Sequence, residues 1–139
     1  MDLRFRHPFT LVVAGPSSCG KSEFVKKIIN SGTRLLDTEF SDILWCYSEW
    51  HPSNSEISKN ITFQKGLDNI SKENTDQPRL IILDDLMGQN ESIVADLFTK
   101  GSHHNNMSVI YITQNIFHQG KRQRDISINS HYLIFFQKS

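Results

Sequence analysis

The chain has no surplus of either charge: 15 Lys and Arg offset 15 Asp and Glu across 139 residues. A pI near 7.0 excludes a global electrostatic pull toward nucleic acid or an anionic membrane, so contact with a polyanion has to be local. Cysteine is scarce. Cys19 and Cys46 lie in different segments, which excludes a disulfide framework or a cysteine metal cluster and fits a reducing, intracellular compartment. Long apolar runs are also missing. No stretch approaches the roughly 18 residues of a membrane span, and Met1 to Arg6 leads into a strand-like segment without the apolar region of a signal peptide. A soluble protein with no membrane partner is expected. No internal repeat or low-complexity tract breaks the chain, and its length predicts one domain over residues 1–139.

What the chain does have is an alternation of strand-like and helix-like segments. Phe9 to Ala14, Ile43 to Tyr47, Arg79 to Asp85, Ser108 to Thr113 and His131 to Phe136 are largely apolar, β-rich runs, the third ending in two carboxylates, and Ile61 to Phe63 is a shorter one. Such runs suit parallel strands covered on both faces. Between them, Lys21 to Asn30 spaces Phe24, Val25, Ile28 and Ile29 on one helical face, and Glu91 to Lys100 does the same with Ile93, Val94, Leu97 and Phe98. A short helix is expected around Leu67 to Ile70, and an irregular connection from Ser48 to Asn60. The pattern predicts an α/β fold with a mainly parallel central sheet and helices on both faces, in three layers. Ligands in such sheets bind at the carboxyl ends of the strands. Gly15, Asp84-Asp85 and Gln114 all fall at such ends.

Gly15-Pro16-Ser17-Ser18-Cys19-Gly20-Lys21-Ser22 follows a strand and opens a helix. In that context the spacing predicts a phosphate-binding loop, whose backbone N–H groups wrap an anion at the positive end of the helix. Lys21 would reach the β- and γ-phosphates of ATP, and the Ser22 hydroxyl would ligate Mg²⁺. Two carboxylates at the end of an apolar strand need a cation. Asp84 is the expected partner of Mg²⁺, largely through water. Asp85 stands where a related site would place a Glu to polarise the attacking water; capping of the next helix is its alternative role. Gln114 is expected to touch the γ-phosphate and the water from the strand beside the loop. Lys121, Arg122 and Arg124 form the dense basic cluster, either a solvated turn or a contact to a neighbouring subunit's nucleotide or to DNA phosphates. His103-His104, His118 and His131 lack the spacing of a zinc site. Trp45 and Trp50 read as core or rim packing.

These residues resemble a known family. Gly15 to Ser22, Leu80 to Met87, and above all Leu97 to His104, Val109 to Lys121 and Arg124 to Tyr132 are similar to the genome-packaging ATPases of Polinton/Maverick-like and adintovirus-type DNA elements. Those ATPases are similar in turn to the poxvirus and adenovirus packaging ATPases and belong to the FtsK/HerA-like division of P-loop NTPases. The resemblance covers nearly the whole chain. It implies a P-loop NTPase fold of the additional-strand, RecA-like arrangement, and an ATPase that assembles as a homo-oligomeric ring on double-stranded DNA and drives it into a capsid. It also implies a capsid-protein partner, a location in the host nucleus, cytoplasm or virion, Arg124 as the residue acting across the subunit boundary, and a C-terminal end longer than this chain's. Two other readings stay open. A small nucleotide kinase would need an arginine-rich lid, and Ser48 to Pro78 holds no arginine. A nucleotide-binding remnant or assembly module without turnover would fit the shorter Asp85.

Overall fold

The computed structural model describes residues 1–17, 19–56, 61–68, 70, 76–86, 91–101, 106–114, 126 and 128–137. Among these residues six strands are formed, β1 (Thr10–Ala14), β2 (Asp42–Tyr47), β3 (Thr62–Lys65), β4 (Arg79–Asp84), β5 (Met107–Thr113) and β6 (Tyr132–Phe135). They form one sheet in the order β3-β2-β4-β5-β1-β6, and every pairing is parallel. The apolar runs explain the middle of this order. All of β1 and β5 is buried, as is β4 up to Asp84, so those strands need cover on both faces. The edge strands β3 and β6 instead hold no fully buried residue, and β6 alternates in exposure.

Helix α1 (Lys21–Ser31) connects β1 to β2, and α2 (Glu91–Asp96) leads into a π-helical turn (Leu97–Gly101) before β5. The first connection passes over β5 and β4, and the second runs back the other way along the sheet. Right-handed crossovers then put the two helices on opposite faces. The packing agrees. Val25, Ile28 and Ile29 of α1 bury against Leu11, Val13, Trp45, Ile82, Ile110 and Ile112. Val94, Leu97 and Phe98 bury against Val12, Ala14, Ile81, Leu83 and Tyr111 on the other face. The expected three-layer α/β architecture is therefore present.

Three local expectations change. The helix expected through Lys100 is α-helical only to Asp96 and winds as a π-helix from Leu97, where the Thr99 hydroxyl donates back to the Ala95 carbonyl at 2.9 Å. In place of a helix after β3, Gly66 to Asp68 turns, with Gly66 at φ 81° and the Gln64 amide donating to the carbonyls of Gly66 and Asp68. Within the irregular connection after β2, Pro52–Glu56 forms a 3₁₀ turn.

At the amino ends of the strands, His7 ties the segment before β1 to β5. Its Nε2 pairs with Asn106 Oδ1 at 2.7 Å and its Nδ1 with the Ser108 hydroxyl. Ser108 is fully buried and also accepts from the Phe9 amide, so the trio is a latch in the fold, far from the carboxyl ends where the candidate site lies.

Candidate functional site

The loop between β1 and α1 starts at a glycine for lack of space. A Cβ on Gly15 would lie 2.7 Å from the Phe136 carbonyl oxygen and 2.9 Å from its Cβ, because Phe136 donates its amide to Ala14 at 2.7 Å just past β6. On the other side, the Gly15 amide donates to the Thr113 carbonyl at 3.1 Å. The loop is thus hung between the two neighbours of β1. Gly20 is needed for a different reason: it takes a left-handed φ of 91° at the N-cap of α1, a conformation that costs other residues energy. No side chain of the N-cap residue caps α1 there, and the positive end of the helix faces the loop.

Lys21 is 8% exposed, and its ammonium donates to the carbonyls of Gly15, at 2.5 Å, and Pro16, at 2.8 Å. It sits inside the loop it belongs to. Ser22, next along α1, points its hydroxyl at Asp84, with Oγ 3.4 Å from Oδ1 and 3.5 Å from Oδ2. The shortest bond to that carboxylate comes from elsewhere: the Trp45 indole Nε1–H donates to Oδ2 at 3.1 Å. Burial pushes the Asp84 carboxyl above its ordinary range, and the neighbouring Asp85 charge adds to this. The Trp45 and Ser22 hydrogen bonds and the Lys26 ammonium pull the other way.

Asp85 leaves the strand in a left-handed conformation, φ 53°, one that Asp tolerates better than most residues. Its amide donates to the Ile112 carbonyl at 3.0 Å, and its own carbonyl accepts from the Ser48 hydroxyl at 3.0 Å. Held between β5 and β2, it turns its carboxylate to Gln114, whose Nε2 lies 3.5 Å from Oδ2. The described part of α2 starts at Glu91, and residues 87–90, on which a capping role of Asp85 would depend, lie outside the described residues. The strand ending at Gln114 lies beside β1, as expected.

A cleft of about 380 Å³ gathers these groups, within the usual range for a small-molecule site. Of the residues singled out in the sequence, Ser17, Cys19, Gly20, Lys21, Ser22, Asp84, Asp85 and Gln114 line it; Gly15 and Pro16 contribute the carbonyls that hold Lys21. Ser18, Lys121, Arg122 and Arg124 lie outside the described residues. Lys26, Ser48, Glu49 and His51 also line the cleft, and the sequence reading missed them, as it missed the indole bond of Trp45. A signal for Lys26 existed, since it stands four residues after Ser22 on one helical face.

Hydroxyl and carboxylate oxygens from Ser22 and Asp84 converge, while among the described residues no group of three or more His, Cys, Asp or Glu is placed to hold a metal. That donor set suits Mg²⁺ arriving with a phosphate ligand, since Mg²⁺ takes one or two protein oxygens and fills its shell with water and phosphate. Among the described residues no helix is long and apolar enough to cross a membrane. Compared with known proteins, the chain matches no protein-family model and no curated protein.

Proposed function

We propose that the chain binds MgATP on the loop 15–22 and hydrolyses it, as a P-loop ATPase of the additional-strand, RecA-like arrangement. The observation that supports this best is the approach of Ser22 to Asp84, 3.4 Å apart across 62 positions of sequence. The strand lying between β1 and β4 then delivers Gln114 to Asp85. In this reading the loop amides and the first turn of α1 cradle the phosphates, and Lys21 exchanges the carbonyls of Gly15 and Pro16 for phosphate oxygens. Ser22 and Asp84 hold the Mg²⁺, which when bound neutralises phosphate charge. Asp85 takes the proton of the attacking water, and Gln114 orients that water.

The finer reading, a homo-oligomeric ring that moves double-stranded DNA into a capsid, rests on the resemblance of residues 97–132. There Arg124 serves a neighbour's nucleotide and the basic cluster offers local phosphate contacts. A neutral chain binds DNA weakly as a monomer and gains affinity when several subunits act together. One observation favours the alternative of a nucleotide-binding module without turnover: the short Asp85 side chain is held at its backbone from both sides, so it reaches less far than a Glu.

Phosphate release from MgATP, with and without linear duplex DNA, tests both. Release that rises with DNA, vanishes in Lys21→Ala and falls about 100-fold in Gln114→Ala with nucleotide affinity retained is the expected result. ATP binding with release at the Lys21→Ala background under all conditions would reject turnover and leave the binding module.

A further inference from the structure

We infer that Trp45 is a positioning residue for the metal-binding carboxylate, aiming Asp84 at Ser22 through its indole N–H. This rests on the nucleotide-site reading above and adds to it a residue outside the loop and the strand ends that define that site.

The geometry begins in the sheet. In the β2–β4 pairing Tyr47 stands beside Asp84 and Trp45 beside Ile82, so Trp45 lies two residues back on the same face as Asp84. Only a long side chain spans that diagonal. The indole is fully buried and packed at 6.0 Å from the Phe63 ring, which leaves it little rotational freedom. Its N–H is a donor only, and it meets Oδ2 at 3.1 Å, while both Ser22 distances to the carboxylate are 3.4 Å or longer. The carboxylate is therefore fixed from behind, by a rigid group, with its contact to Ser22 loose. A buried Lys26 ammonium stands 5.9 Å from the centre of the same ring and 3.2 Å from Glu23 Oε1. It adds positive potential near the carboxylate, and the ring face attracts it.

This arrangement has a chemical use. A Mg²⁺ ligand must present its oxygen within a narrow octahedral geometry, and partners that orient a ligand are commonly worth 10–100-fold in metal affinity. Phe at position 45 keeps most of the volume and the ring but removes the donor. Metal affinity should fall while the metal-free nucleotide site stays intact.

The test measures binding rather than turnover. Mn²⁺ replaces Mg²⁺ and is followed by electron paramagnetic resonance with saturating ADP, in the wild type and in Trp45→Phe. ADP affinity is measured separately in EDTA. The expected result is Mn²⁺ binding about tenfold weaker in Trp45→Phe, with ADP affinity in EDTA within about twofold of wild type. Equal Mn²⁺ affinity in the two proteins would overturn the positioning role while leaving the nucleotide site standing. A wild type that binds ADP in EDTA but never Mn²⁺ would overturn both the positioning role and the metal assignment. Should Trp45→Phe fail to fold, Trp50→Phe provides a single-tryptophan protein, because Trp50 is half-exposed on the rim. In it the Trp45 emission should shift on adding Mg²⁺ to the ADP complex, and Asp84→Asn should abolish that shift. An emission blind to both changes would sink the inference independently.

Discussion

Replacing Gly15 with Ala adds one methyl group at a place where the backbone of another strand already stands. The new Cβ would lie 2.7 Å from the Phe136 oxygen and 2.9 Å from the Phe136 Cβ, well inside the ~3.5–4.0 Å at which carbon contacts are most favourable. Neither atom is the far end of a flexible side chain, so β6 has to move away from β1. Overpacking of this kind costs about 1–3 kcal/mol. Displacement of the Phe136 amide from Ala14, now bonded at 2.7 Å, adds about 1 kcal/mol. The sum is about 2–4 kcal/mol. Gly20→Ala is the control: nothing lies within 4 Å of its added Cβ, and only the φ of 91° opposes it, for about 1–2 kcal/mol. Urea denaturation of the ligand-free protein reads both. With a slope of about 2 kcal/mol per molar, Gly15→Ala should lower the midpoint by about 1–2 M and Gly20→Ala by about half as much. In a double-mutant cycle, Gly15→Ala should cost less in a Phe136→Gly background than in wild type, since that background lacks the Cβ contact, although Phe136→Gly itself gives up packing on Phe24. A Gly15→Ala midpoint at or above that of Gly20→Ala would refute the steric account of the loop.

Two further outcomes follow from burial. The Asp84 carboxyl is pushed up in the folded chain, so it contributes stability at low pH that is lost as pH rises through its folded value. Asp84→Asn should therefore raise the ligand-free Tm at pH 7, and that gain over wild type should shrink as pH falls below the ordinary carboxylate range, while metal binding is abolished; a Tm at pH 7 at or below wild type would contradict it. Cys46 is fully buried and its thiol is pushed up to about 12, whereas Cys19 is half-buried in the cleft. Mass spectrometry after brief alkylation at pH 8 should find Cys19 modified and Cys46 untouched, with MgATP slowing the reaction at Cys19; modification of Cys46 in the folded protein would show that β2 is not packed as described.

The central strands, α1 and α2 were legible because their signals are local. Val12 and Val13 sit in a run too apolar to face water on either side, and Val25, Ile28 and Ile29 repeat at the helical period. The carboxyl-end placement of Gly15, Asp84 and Gln114 needed only the strand ends. What remained hidden depends on neighbours distant in sequence. Nothing around Trp45 says that β4 will lie beside β2 in the register that sets Tyr47 against Asp84, and the indole bond follows only from that register. Glu49 and His51 reach the cleft for the same reason, as residues just past β2. The left-handed turn of Asp85 is imposed from both sides, by Ile112 and Ser48, and is invisible in the dipeptide itself.

The strand order carries a consequence for the newly made chain. β1 is synthesised well before either of its partners, β5 and β6. Until residues 107–136 are available, a strand buried along its whole length lacks its neighbours, and the loop after it lacks Thr113 and Phe136 to hang from. The phosphate-facing loop is therefore read early by the ribosome but shaped late. In the interval β1 is an unpaired apolar segment, open to the wrong partners. A pause or a break in translation before β5 would leave that segment exposed, whatever the rest of the chain had already folded.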